Sequence, residues 1–570
     1  MATKMAEMIM AANRNSDSKR RSRRLQRALT FAVAAAIPAC ERMMTVCAEA
    51  SNVTFTLNDA AGSDSFGAEG HWSNSAAPSS SNTYEDLGVS SAGFLRAYGV
   101  GGGTDVTGSA TFAGASLQLD DGAILYLKTT GTITVNNLIM NGGEVLEGAP
   151  ETSAIATLAG NITFNSATTS YMTGQNGVLA ISSAVMGSGS VVFGGSDAAG
   201  NNTFNADQSS SAGAEYGQAI TLSGNWSGYS GTATIANTGT VSIPGGVTIG
   251  ATNGTSGNAA YIIDSNSGND LVLGSGISSS YTANIGSLAT GPGSGASTAI
   301  YTSSSFAGTV LTLAIGNLNT NTTFAGIIKQ SGGTMAVDKV GSGTLTLSGS
   351  NLYSAGTTIS AGTLQAANAS ALGTGPVDVK ATIAVGADST HPGLLNINNS
   401  SQASTWEAGA NYAWKTDSAT GTAGTNFDQI NMTSLNVTAS NSSPFTIILS
   451  DLSAAGGTIG TAPSGLAAGD SWILATTSTT AQINGTNVTS GALLTSGLSS
   501  DVFALNTSNF DNASGQVPPS AFSLDFVTSG GGDNLVLTYN GTPEPCTTML
   551  VLAGALPMLT GRRRRRRNVN

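Results

Sequence analysis

Apolar and polar residues alternate in short runs along this chain, and no stripe at helical spacing persists for any length. Ser116-Leu117-Gln118-Leu119 is followed by Asp120-Asp121-Gly122. Ala123-Ile124-Leu125-Tyr126-Leu127 leads to Thr132-Ile133-Thr134-Val135, which stops at Asn136-Asn137. Alternation at period two predicts strands with one buried face. The intervening Gly, Asn, Ser and Asp supply turns, including those that need a positive φ. Short strands at regular spacing suit a sandwich, a barrel or a β-solenoid, and internal repetition separates the three.

That repetition is clearest at 324–375. Phe324-Ala325-Gly326-Ile327-Ile328 opens it, and Lys339-Val340-Gly341-Ser342-Gly343-Thr344-Leu345-Thr346-Leu347-Ser348-Gly349 follows. Then come Asn351-Leu352-Tyr353, Gly356-Thr357-Thr358-Ile359, Ala361-Gly362-Thr363-Leu364 and Ala371-Leu372-Gly373. The segment closely resembles the autotransporter-associated β-strand repeat, the passenger-associated repeat of secreted β-helical proteins. The resemblance implies an all-β chain, a parallel β-helix or β-solenoid whose turns stack because none buries its apolar face alone. Leu345, Leu347, Ile359 and Leu364 are expected to point inward, with Gly343, Gly349, Gly356 and Gly362 at the corners. Turns of roughly 20–25 residues are expected at a rise of about 4.8 Å each.

The segments on either side resemble modules of similar repeat proteins. One holds Gly70-His71-Trp72-Ser73-Asn74 and Phe112-Ala113-Gly114; the other holds Tyr412-Ala413-Trp414, Gly421 to Asp428, Ser471-Trp472-Ile473-Leu474 and Asn534-Leu535-Val536-Leu537. Their expected role is to cap solenoid edges that would otherwise pair with other chains. The expected organisation is a signal peptide at 1–50, an N-terminal β cap at 51–150, the solenoid at 151–393, and a C-terminal β-rich module at 394–540. A sorting signal at 543–567 completes it. Asp501–Ser520 reads as a loop-rich break.

Composition sharpens this picture. Of 570 residues only 9% are charged and 74 are Gly, against roughly 25% charged in an ordinary soluble protein. The 21 Lys and Arg are concentrated at the ends: residues 51–561 keep only Arg96, Lys128, Lys329, Lys339, Lys380 and Lys415, beside 29 of the 33 acidic residues. So acidic a body does not suit nucleic acid.

Both ends read as addresses. Arg14, Lys19, Arg20, Arg21, Arg23, Arg24 and Arg27 precede the uncharged run Ala28–Ala39, and small residues follow at Ala48 and Ala50. That order is a secretory signal with cleavage near Ala48 or Ala50. At the other end Pro543-Glu544-Pro545 precedes an apolar run and then Arg562, Arg563, Arg564, Arg565, Arg566 and Arg567. This closely resembles the PEP-CTERM protein-sorting signal of Gram-negative bacteria, with Cys546 where Ser is usual. The resemblance implies export, a short C-terminal transmembrane helix making transient inner-membrane contact, recognition by an exosortase-type membrane peptidase, and delivery to the envelope, surface or extracellular matrix. The helix would span roughly 22 Å against a hydrocarbon core of about 30 Å, which suits transient presentation.

Candidate chemistry is sparse. Cys40 and Cys47 leave with the signal and Cys546 sits in the tail, so the body has no thiol site. His71 and His391 lack the motif of a base oriented by a carboxylate. Glycoside hydrolysis needs two carboxylates across a cleft, and the adjacent pairs Glu85-Asp86 and Asp120-Asp121 read as turn residues. Gly101-Gly102-Gly103-Thr104-Asp105 lacks the repeated Gly-Asp pattern of calcium-binding nonapeptides. The five Trp, at 72, 226, 406, 414 and 472, suit either sugar stacking or core and cap packing. Thr132-x-Thr134, Thr232-x-Thr234 and Thr344-x-Thr346 would set hydroxyls on strand faces, a pattern that regular arrays use to match ice. The expectation is an exported structural or adhesive solenoid with no enzymatic activity, no catalytic residue, no metal and no cofactor. Its expected partners are the export machinery, the peptidase and exopolysaccharide. A carbohydrate-active β-helix enzyme is the alternative, and an ice-binding protein a lesser one.

Overall fold

The computed structural model describes residues 51–56, 66–88, 94–97, 108–148, 155–165, 168–174, 177–194, 219–237, 246–265, 270–295, 297–398, 402–461, 463, 465–489, 492–493, 502–512 and 515–541. The cleavage positions Ala48 and Ala50, and the tail residues Pro543, Glu544, Pro545 and Arg562–Arg567, lie outside the described residues. So does the expected transmembrane segment. Among the described residues no helix is long and apolar enough to cross a membrane.

The chain is an all-β parallel solenoid. Each successive strand lies beside the equivalent strand of the turn before, and nearly all pairs are parallel. One face is a 14-stranded sheet that starts at Ser51–Thr54 and reaches Ile327–Lys329. A second is an eight-stranded sheet from Leu95–Ala97 to Ser287–Thr290. The latter strand packs on Thr322–Phe324, where a seven-stranded sheet continues the same face to Phe503–Asn509. A nine-stranded sheet beginning at Tyr281–Ile285 forms the third face of the later turns.

The repeat region shows why this sequence folds so. Leu345 pairs with Leu364, Leu364 with Ile383, Ile383 with Tyr412, and Tyr412 with Ile447. That column points inward, and Leu345, Leu347, Ile359 and Leu364 are all buried as their alternation requires. Gly356 turns its corner with φ +101°. A Cβ on Gly349 would sit 2.0 Å from the carbonyl oxygen of Gly326, so glycine here permits the turns to approach.

Turn length varies more than expected. Leu345 and Leu364 are 19 residues apart, whereas Leu179 pairs with Ile220, 41 residues on. The ladder fixes only the strands, so the parallel register holds across turns of different length.

One face loses its strands inside the repeat and Asn351 takes their place. Its Oδ1 accepts from the Ile328 N–H at 2.7 Å, and its Nδ2 donates to the Ala371 carbonyl at 2.5 Å. One buried side chain thus joins the turn below to the turn above. Strand pairing resumes on this face at Leu394–Ile397, in a six-stranded sheet. Parallel pairing therefore crosses residue 393: Val377–Val379 pairs with Ser404–Glu407, and Thr382–Val385 with Asn411–Thr416.

Both ends are finished differently from the middle. At the N-terminal end Phe55 and Trp72 form an antiparallel bridge. Trp72 meets Tyr84 edge-on at 4.8 Å and lies 6.0 Å from Phe112, closing the core with aromatic rings. At the other end the hairpin of Phe522–Ser529 and Gly532–Tyr539 pairs antiparallel with Ser471–Thr477, covering the last parallel edge on that face. The segment read as a loop-rich break instead contains the strand Phe503–Asn509, paired with Phe445–Asp451 across a bulge. Its Asn and Ser mimic a turn, but the neighbouring strand supplies the template.

Candidate functional site

The outer side of the seven-stranded sheet carries a groove among the described residues. Alternation that turns Leu345, Leu364 and Ile383 inward turns their neighbours outward. Thr344, Thr363 and Thr382 stack in one outward column, followed by Asn411. Two residues along, Thr346, Gln365, Ala384, Ala413 and Ile448 form a second column. The two columns floor a groove of about 630 Å³. Hydroxyls line one edge, while the other becomes apolar toward Ala413, Ile448 and Ile459.

Loops wall the groove. Ala387, Asp388 and Ser389 line it, and Asp388 holds its own loop together. Its carboxylate accepts from the Thr390 N–H at 2.7 Å, the Thr390 hydroxyl at 2.8 Å, and His391 Nδ1 at 2.8 Å. Partial burial pushes the Asp388 carboxyl up, but these hydrogen bonds outweigh it and hold it at about 2. The loop is pinned from outside: Gly456 N–H donates to the Thr390 carbonyl at 2.8 Å, and a Cβ on Gly456 would meet His391 Nε2 at 2.9 Å. His391 thus sits against a glycine, half-exposed and oriented through Nδ1 by the Asp388 carboxylate.

Beneath this wall lies a buried ion pair. Lys415 Nζ donates to Asp428 Oδ2 at 3.0 Å and to the Val385 carbonyl. Asp428 also accepts from Gly393 N–H at 2.8 Å and from Lys415 N–H at 3.2 Å. Burial pushes the Asp428 carboxyl up to about 7 despite the opposing Lys415 charge. Trp414 Nε1 donates to the Asp428 carbonyl at 2.7 Å. The pair ties the Thr382–Val385 strand, the Asn411–Thr416 strand and the start of Gln429–Met432 into one unit. Neither partner was singled out from sequence as a site; their spacing is not a motif, and only the fold brings them together.

The other sequence candidates fall elsewhere. Glu85-Asp86 and Asp120 are strand residues rather than turn residues, in Asn82–Asp86 and Ser116–Asp120. Strand pairing sets Glu85 opposite Gln118, whose Nε2 donates to Glu85 at 2.9 Å and to Asp120 at 2.8 Å. Asn52 and Asn141 extend this chain of amides and carboxylates. The two acids lie side by side on neighbouring strands and do not face each other across a cleft. All five Trp are buried, at 1% exposure each, so they pack the core and caps. Thr132 pairs with Thr157 but Thr134 with Ala159, and Thr232 and Thr234 pair with Ala260 and Ile262. Of the three Thr pairs, only Thr344 continues as a Thr column on both succeeding turns. Among the described residues no group of three or more His, Cys, Asp or Glu side chains forms a metal cluster.

Residues 337–366 match the family model of the passenger-associated-transport-repeat. The match spans the end of Thr334–Lys339 and the strands Thr344–Leu347, Thr357–Ile359 and Thr363–Ala366. No curated protein matches the chain. The repeat and the parallel solenoid fit a surface-exposed repeat protein, and the repeat points to a secreted or surface protein of Gram-negative bacteria.

Proposed function

We propose that this chain is an exported scaffold of the cell surface or extracellular matrix, structural or adhesive in role, sorted there by its C-terminal tail. The observation that carries the reading is the closed stack itself: a parallel ladder from Ser51 to Asn509 with an aromatic plug at one end and an antiparallel hairpin at the other. Such a body offers long outward faces with few charges. Among the described residues that line the groove the one carboxylate is Asp388, hydrogen-bonded within its own loop.

In this reading the signal segment is removed near Ala48 or Ala50. Arg562–Arg567 then hold the C-terminus on the cytoplasmic side, each contributing on the order of 1 kcal/mol near anionic headgroups. Pro543-Glu544-Pro545 is presented to an exosortase-type peptidase at the opposite interface. A tag placed before Pro543 tests this by fractionation. Neutralising the six Arg leaves the protein unsorted, and changing Glu544 leaves an unprocessed inner-membrane form. Equal arrival of the tag at the surface in both variants refutes the sorting role.

A further inference from the structure

We infer that the groove on the seven-stranded sheet is a binding site for a neutral polysaccharide chain lying along the solenoid axis, an inference that rests on the adhesive reading above.

Three observations converge. The first is the groove's two-sided character. Thr344, Thr363 and Thr382 give a column of hydroxyls, one per turn, and adjacent turns are about 4.8 Å apart. On the next two turns the neighbouring column continues as Ala413 and Ile448, with Ile459 also lining the groove, so it becomes apolar further along the axis. A pyranose chain has the matching division, with hydroxyls on its ring edges and C–H groups on its ring faces. A repeating ligand is also what a repeating row of donors and acceptors can engage at more than one point.

The second is the treatment of charge. Asp388 and Lys415 both line the groove. Asp388 is held by Thr390 and His391 but stays half-exposed as an anion, and Lys415 is buried against Asp428. Neither therefore draws in a polyanion, while residues 51–561 carry 29 acids against six bases. Such a body repels a polyanion, and the groove offers nothing to offset that repulsion. Uronate-rich or sulfated chains are therefore poor occupants.

The third is rigidity. The floor is ladder-paired strand, and the Ala387–Ser389 wall is pinned by the Gly456-to-Thr390 hydrogen bond, with the Lys415–Asp428 pair beneath it. A site held open before the ligand arrives loses less freedom on binding. Gln365 is fixed too, its Nε2 donating to the Gly386 carbonyl at 2.7 Å.

The test is titration calorimetry on the full exported chain with three probes: a neutral linear glucan oligosaccharide, a polyuronate oligosaccharide of equal length, and the producing cell's own matrix polysaccharide. The neutral glucan or the matrix polysaccharide binds, and the polyuronate does not. Binding of the matrix polysaccharide alone assigns the site to holding the cell's own matrix. Binding of the glucan as well assigns it to adhesion on foreign glycans. Thr363→Val and Thr382→Val keep the shape and remove a hydroxyl, and each weakens binding about tenfold, the equivalent of one good hydrogen bond. Both residues face outward, so circular dichroism of the variants matches the parent. No binding by either neutral probe, binding indifferent to both substitutions, or tighter binding of the polyuronate overturns the proposal. The sorting reading stands or falls separately, on the position of the tag.

Discussion

Replacing Lys415 by Met should expose how the groove's foundation is held. Asp428 is fully buried and keeps only two backbone donors, Gly393 N–H at 2.8 Å and Lys415 N–H at 3.2 Å, once Nζ is gone. Breaking a buried pair by removing one partner costs about 3–5 kcal/mol, because an uncompensated charge remains. The cost depends on pH in a definite direction. Burial already raises the Asp428 carboxyl from 3.8 to about 7 in the folded chain. A group raised on folding contributes stability that is complete below its unfolded value and is lost as pH rises through the folded one. In the parent that loss ends near pH 7. Without Lys415 the carboxyl climbs further, so the loss continues above pH 7 at up to about 1.4 kcal/mol per pH unit. The gap between variant and parent is therefore narrow near pH 4 and wide near pH 8. Adding Asp428→Asn to Lys415→Met restores most of the loss and flattens the profile, since the amide oxygen can still accept from Gly393. A long stack does not unfold as one unit, so the readout is amide hydrogen exchange in peptides covering 385–393 and 411–432. A deficit that is the same at all pH values, or that Asp428→Asn fails to relieve, refutes the account.

Asn351→Leu keeps the volume but removes the link between Ile328 and Ala371; leaving those buried backbone groups unpaired costs about 1–3 kcal/mol each. Exchange protection should fall at Ile328, whose N–H loses its acceptor, and stay unchanged at Leu117. Trp72→Ala should open the N-terminal plug at about 3–5 kcal/mol, seen as early proteolysis near residues 51–88, while the repeat region keeps its resistance.

Strand-forming segments were legible because alternation is local: Leu345 and Leu347 announce their inward face within four residues. The repeat added the architecture, since a 19-residue recurrence of Gly and Leu has few other physical uses. What the sequence concealed depends on partners brought from other turns. Glu85 and Asp120 looked like turn residues because acids beside Gly usually are, yet Gln118 makes them a strand-face network. Asn351 reads as a loop residue until a turn below and a turn above supply its two partners. The groove was half legible: Thr344-x-Thr346 marks hydroxyls on one strand face, but that Thr363 and Thr382 stack on Thr344 follows only from the register between turns. Lys415 and Asp428 share no motif, and only the local return of the chain at the Thr416–Phe427 bridge joins them.

The uneven turn length has a consequence for how the chain reaches this state. Among the described residues each turn pairs with the turn before and the turn after, from 19 residues away at Leu345 and Leu364 to 58 at Phe445 and Phe503, so each loop that closes is short beside the whole chain. A chain emerging N-terminus first can place its aromatic cluster at Phe55, Trp72 and Tyr84 and then add strands one at a time to a waiting edge. Each exposed edge is a template only until the next turn arrives. The hairpin at Phe522–Tyr539 follows the last parallel strand and is the piece that ends growth. Assembly would thus run as a zipper with a starter and a stop, able to advance at the pace of delivery rather than waiting for the whole chain.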